Sequence, residues 1–200
     1  NNTFIDADIM FFRDIVIEDG ATLTITCKLY MANNASIIVK QGGRLIVDGG
    51  LISTENGKLW QGIQVWGDTT KSQKPTYNPA EYDHGRVELI NGATIENAIV
   101  ALDLWEPENY QATGGILYAE DAIFRNNAKA IHALHYRNFD PYEPLIEWDY
   151  DGEIINCTFE ITEDYIGDET FYKHVDLASV NGIDFIGCDF VLDENATNIS

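Results

Sequence analysis

Basic residues are the scarcest feature of this chain: 12 lysines and arginines stand against 33 aspartates and glutamates, a formal net charge of −21. A surface of that sign repels phosphate backbones and anionic headgroups, which excludes nucleic acid as a partner. It suits an extracellular or saline setting, and Ca²⁺ is the one cofactor such acids would attract. Cysteine is also rare. Cys27, Cys157 and Cys188 allow at most one bridge, so no disulfide framework organises the fold. No apolar run approaches the roughly 18–20 residues of a membrane helix, and no insertion into a bilayer is expected. Helical periodicity is missing as well: no window carries apolar residues at i, i+3, i+4 and i+7 over about ten positions. There is no GxSxG elbow, Walker loop or GxGxxG turn. The opening "NNTFIDAD" has neither a basic nor an apolar region, as in a mature or trimmed chain. The closing "DENATNIS" reads as a cut through a repeat, so residues 1–200 are expected to be one domain of a longer protein.

What is present is a repeat. A content of 45% hydrophobic and 12% aromatic residues marks a globular chain and not a disordered one. "GATLTI" at 20–25 returns as "GGRLIV" at 42–47, and aligning Leu23 with Ile46 gives a spacing of 23. "NASIIV" at 34–39 has the same character between them. Further on, the unit becomes a short strand, a tight corner and a second strand. It recurs as "VELINGATIENA", "ILYAEDAIFRNNA", "EIINCTFEIT" and "IDFIGCDFVLD". Ile95, Phe124, Phe159 and Phe190 then fall 29, 35 and 31 residues apart. The cores keep their length while the connecting loops vary, which is how a solenoid absorbs insertions.

The segments are four to six residues long, rich in Val, Ile, Leu and Thr, and bounded by Gly, Asn and Asp, as strands are. An all-β, right-handed parallel β-helix of six or seven coils follows, with loop insertions between coils. Residues two apart on a strand face the same way, so Ala93 with Ile95 and Ala122 with Phe124 point inward. Cys157 with Phe159 and Cys188 with Phe190 repeat that small-then-large pair. Cysteine fills the alanine position, as a small and often buried residue. Coils in register set the two Cβ atoms about 4.8 Å apart, whereas a disulfide prefers about 3.8 Å. Cys157 and Cys188 are therefore expected as free, buried thiols.

"GATLTITCKLYMANNASIIVKQGGRLIVDGGLIS", "WQGIQVWG", "GRVELINGATIENA" and "AIFRNNAKAI" resemble secreted β-helix-repeat proteins of the phylum Bacteroidota. The resemblance covers about residues 15–133 and is most specific in "LYM…GGRLIVDGG…WQGI.VWG". It implies a long multidomain protein exported by a type IX system through a C-terminal sorting domain, and no such domain is present here. It implies a secreted or cell-surface location more than an activity. The catalytic signature of polysaccharide lyases sharing the fold is not recognisable.

Calcium needs six to eight oxygens, and the only Asp-x-Asp pairs are Asp6 with Asp8 and Asp149 with Asp151. A lyase base would have to come from Arg86, Arg125, Lys129 or Arg137, and Arg125 should face outward beside Phe124. A glycoside hydrolase needs carboxylates on adjacent coils, but the equivalent corners are Asn91-Gly92, Asp121, Asn156 and Gly187. Those read as turn residues. His132 and His135 are three apart, on opposite faces of a strand, without a third metal ligand at suitable spacing. In "WQGIQVWG", Ile63 and Val65 share one face, and Trp60, Gln64 and Trp66 the other. If the aliphatic pair points inward, both tryptophans lie outside. The loops add Trp105, Tyr110, Tyr136, Phe139, Tyr142, Trp148 and Tyr150, which pack insertions onto the solenoid or stack on sugar rings. The glycan-contacting candidates are Trp60, Trp66, Trp105, Tyr110, Tyr142 and Trp148.

The expected function is a non-enzymatic, adhesin-like surface module contacting extracellular polysaccharide or a cell-surface glycan. The alternatives are a carbohydrate-active lyase or hydrolase and a purely structural stalk. Acids converging on one exposed sheet face would favour the enzyme, an aromatic strip would favour binding, and loops packed shut would favour the stalk.

Overall fold

The computed structural model describes residues 1–74, 82–168, 171 and 173–196, and every regular element among them is a strand. The chain winds through three sheets in turn. The first coil is β1 (Asn2–Ile5), β2 (Ile9–Phe11) and β3 (Ile15–Ile17), and the second is β4 (Thr22–Ile25), β5 (Lys28–Met31) and β6 (Ser36–Val39). The third is β7 (Arg44–Asp48), β8 (Leu51–Ser53) and β9 (Trp60–Val65). The fourth is β10 (Arg86–Ile90), β11 (Thr94–Glu96) and β12 (Ala98–Asp103), followed by a hairpin of β13 (Trp105–Glu106) and β14 (Asn109–Thr113). The fifth is β15 (Ile116–Glu120), β16 (Ile123–Arg125) and β17 (Lys129–Ala133), and the sixth is β18 (Glu153–Ile155), β19 (Thr158–Ile161) and β20 (Val175–Leu177). A seventh begins with β21 (Asp184–Ile186) and β22 (Asp189–Leu192). Each strand pairs in parallel with its counterparts in the neighbouring coils, which gives two seven-stranded sheets and one of six. This is a parallel β-helix.

Register shows why these residues stack. Leu23 stands beside Leu45, and Leu45 beside Val87. The first repeat is thus 22 residues and not the 23 given by pairing Leu23 with Ile46. A one-residue slip would turn every inward side chain outward, and Ile46 does lie on the outer face, beside Thr24 and Glu88. The "NASIIV" segment does not share a column with its neighbours in sequence, because β6 belongs to the third sheet. In the second sheet one inward column runs Ile9, Leu29, Ile52, Ile95, Phe124, Phe159 and Phe190. Five members, Leu29 to Phe159, are at most 1% exposed. The alanine position holds too: Ala93, Ala122 and Cys157 are buried, while Cys188 in the last coil is only half-buried. All three cysteines are free.

The corners between the first and second sheets carry backbone in the left-handed region: Asn91 and Gly92, Asp121, Asn156 and Gly187. Asn, Asp and Gly tolerate that region best, which accounts for their recurrence. Asn97 and Asn126 do the same at the next corner. There Asn127 adds an internal clasp, accepting from the Ala98 N–H at 2.8 Å and donating to the Ile95 carbonyl at 2.9 Å.

Candidate functional site

The outer face of the third sheet carries one unbroken row of side chains. Val16, Ile38, Gln64, Asp103, His132 and Asp176 stand side by side on successive strands. The row is apolar at its N-terminal end and polar from Gln64 onward. Asp103 Oδ1 lies 2.8 Å from His132 Nδ1, and both are half-buried. Lys129 Nζ donates to Asp176 at 2.8 Å, and Lys173 Nζ lies 3.0 Å from the other carboxylate oxygen. Those two hydrogen-bonding lysines pull the Asp176 carboxyl down to about 2.

Two residues beyond the Gln64–Asp103 pair stand Trp66 and Trp105. Trp66 is half-buried and its Nε1 donates to Gln64 Oε1 at 3.2 Å. Lys40 Nζ, bonded to Glu18 at 2.8 Å, sits 5.9 Å from the Trp66 ring centre. Trp105 opens the hairpin, and its ring meets Tyr110 at 5.4 Å and stands nearly perpendicular to His132 at 6.3 Å. Tyr110 is 70% exposed at the rim. The hairpin runs beside the segment that follows β9: Gly67 N–H donates to the Ala112 carbonyl and Thr69 N–H to the Gln111 carbonyl. Three of the six expected residues are thereby gathered on one face.

Trp60 is not among them. It is fully buried, with its Nε1 donating to the Glu96 carbonyl at 2.8 Å, so the expectation of an outward Trp60 is overturned. The cause is Gly62. Its φ of 102° breaks the alternation of β9, and opposite it β12 bulges, taking two steps from Val100 to Leu102 against the single step from Gly62 to Ile63. Gly62 and Ile63 both lie buried, so the alternation that places Gln64 and Trp66 outside restarts and carries Trp60 inside. A Cβ at Gly62 would run into the Val100 carbonyl.

The remaining two candidates lie in the 134–152 insertion. Tyr142, 74% exposed, sits in a turn where its N–H donates to Asp140. Trp148 lines a cleft of about 440 Å³ on the outer face of the first sheet, together with Tyr118, Glu153 and Asp184. The insertion is anchored by its other aromatics. Tyr136 and Tyr150 are buried, and their hydroxyls donate to the carbonyls of Lys71 and Gly115. Here the packing role holds, and burial raises both phenols above their ordinary value. Buried Gln73 and Asn138 join the two long loops: Gln73 N–H donates to Asn138 Oδ1 at 3.0 Å, and Asn138 Nδ2 donates to the Asp149 carbonyl at 2.7 Å.

The four candidate lyase bases all have partners. Arg86 lies between the rings of Tyr82 and Tyr118, with Nε 2.8 Å from Glu88 Oε1 but not aligned for a hydrogen bond. Arg125 faces outward and binds Glu160 at 2.6 Å, Lys129 binds Asp176, and Arg137 binds the carbonyls of Pro144 and Leu145. His132 is on its strand, and His135 lies beyond it, exposed. Among the described residues no group of three or more His, Cys, Asp or Glu is arranged to hold a metal ion. Asp8 instead accepts the Lys28 N–H at 2.9 Å.

The row Gln64–Asp103–His132 was missed in the sequence because its members belong to three coils separated by insertions of unequal length. Tyr118, Glu153 and Asp184 were missed for the same reason. No protein-family model, no curated protein and no solved structure matches the chain.

Proposed function

We propose that the chain is an extracellular, non-enzymatic surface module of adhesin type that contacts polysaccharide through the outer face of its third sheet. The observation that carries this reading is the gathering of Trp66, Trp105 and Tyr110 around Gln64, Asp103 and His132. Aromatic rings with one wet edge offer flat apolar faces to the C–H side of a sugar ring. The amide, carboxylate and imidazole beside them offer donors and acceptors for hydroxyls. The strands hold these groups from below, so little ordering is needed on contact. A surface location follows from the resemblance to secreted Bacteroidota repeat proteins and agrees with the acidic composition. Export by a type IX system belongs to the same proposal.

A carbohydrate-active enzyme is the second reading, favoured by one observation: Glu153 and Asp184 are neighbours in register on the first sheet, beside Asp149 and Asp151. A glycan array probed with the chain, run beside an assay for unsaturated or reducing-end products on uronic-acid polymers with Ca²⁺, separates the readings. Retention without turnover supports the binding module. Turnover supports the enzyme, and silence in both leaves a stalk.

A further inference from the structure

The cleft on the first sheet has a different chemistry from the aromatic face. Tyr118, Glu153 and Asp184 form its floor, and Glu147, Trp148, Asp149 and Asp151 its wall. Among the described residues, the one cation in its lining is Lys74, whose Nζ lies 5.5 Å from the Trp148 ring centre. Next to it, the Arg86 guanidinium lies 4.7 Å from the Tyr82 ring and 4.6 Å from that of Tyr118. Twice on this face, then, aromatic rings beside carboxylates hold a cation that the chain itself supplies, as ring quadrupoles favour. The wall is preset. Gln73 is fully buried, donates from Nε2 to the Gly114 carbonyl at 2.8 Å and accepts the Asp151 N–H at 2.8 Å. A wall fixed this way loses little freedom when a ligand enters.

We propose that this cleft binds an extended polypeptide segment bearing lysine or arginine, whose cationic ends meet the carboxylates of Glu153 and Asp184 while their stems lie beside the edges of the Trp148 and Tyr118 rings that Lys74 and Arg86 already face. The internal cations that occupy this face are themselves a lysine and an arginine, which argues for peptide side chains over other amines. Their long apolar stems lie along aromatic surface while the charged head meets acid. Glu153 and Asp184 are one coil apart, about 4.8 Å, and same-side residues of an extended chain are about 6.6–7 Å apart. Flexible stems close that difference. The proposal does not rest on the glycan reading, which concerns another sheet.

The test is a fluorescence-anisotropy titration of the whole chain with a labelled alternating Lys-Gly peptide at ionic strength near ~0.15 M, where distant charges are screened. Its acetyl-lysine counterpart and a glucosamine oligomer of equal charge serve as comparators. The Lys-Gly peptide is expected to bind and the acetylated one not. Glu153→Gln with Asp184→Asn should weaken binding by about tenfold or more. Glu108→Gln with Glu163→Gln, exposed acids elsewhere, should change it less than about twofold. All four acids are exposed, and unchanged melting curves establish that both double variants fold. Equal losses in the two pairs, equal binding of the acetylated peptide, preference for the glucosamine oligomer, or no binding would each overturn the proposal.

Discussion

Phe159 lies flat against Phe124, with ring centroids 4.7 Å apart and planes 1° from parallel, and Phe190 stacks on its other side at 4.7 Å and 8°. The parallel strand spacing of about 4.8 Å sets that distance, because the three residues are in register on adjacent coils. Phe159 is fully buried, whereas Phe190 is 53% exposed. Phe159→Ala removes the middle ring and leaves a cavity, and should cost about 3–5 kcal/mol. Phe190→Ala should cost clearly less. Urea denaturation of the two variants checks the order.

Gly62 sets which side of β9 faces the core. Gly62→Ala meets both an unfavourable φ and the Val100 carbonyl, whereas Gly57→Ala at φ 64° meets nothing within 4 Å. The Gly57 variant should lose about 1–2 kcal/mol from backbone strain alone. The Gly62 variant should lose more, and should expose Trp60 to acrylamide quenching as the bulge is disturbed. Equal losses would mean that the close approach is relaxed without cost.

Burial pushes the Cys157 thiol up to about 11, and its Sγ donates to the Ile155 carbonyl at 3.3 Å. The thiolate is the reactive form, so Cys157 should resist thiol reagents at pH 8 in the folded protein and react on unfolding. Mass spectrometry of the unreduced protein should show no Cys157–Cys188 link. Such a link would contradict the coil spacing.

Acid should destabilise the fold in two steps. Burial lowers His84 and His174 below 6.5, and His174 sits against Phe171, Phe159 and Phe190. The unfolded chain therefore takes up these protons first, and stability falls as pH drops below 6.5. Asp176, held down to about 2 by Lys129 and Lys173, contributes above its ordinary 3.8, and that contribution is lost between 3.8 and about 2. His174→Phe keeps a ring in the same aromatic surroundings and removes one titrating group. Thermal melts from pH 7 to 5 should fall less steeply for it than for wild type.

The columns that define the coils were legible in the sequence wherever the same pair of residues recurs. Ile95, Phe124, Phe159 and Phe190 are such a column, and so are the Asn and Asp corners, because local backbone rules select them. Period-two alternation failed at Trp60, where the positive φ of Gly62 inverts the pattern and nothing in "WQGIQVWG" marks the β12 bulge and the Val100 carbonyl that require it. The aromatic face was half legible. Trp66, Trp105 and Tyr110 were identifiable as residues, but their meeting depends on register between coils separated by the 67–85 and 104–115 insertions.

Trp66, Trp105 and Tyr110 are proposed to form one glycan-contacting face. The most direct measurement is a polysaccharide and glycan array probed with the wild-type chain and with a Trp66→Ala/Tyr110→Ala variant of matched melting temperature. Wild-type retention on at least one polysaccharide, weakened by roughly tenfold or more in the variant, is the predicted result. Equal retention by the two proteins, or none by either, would contradict it.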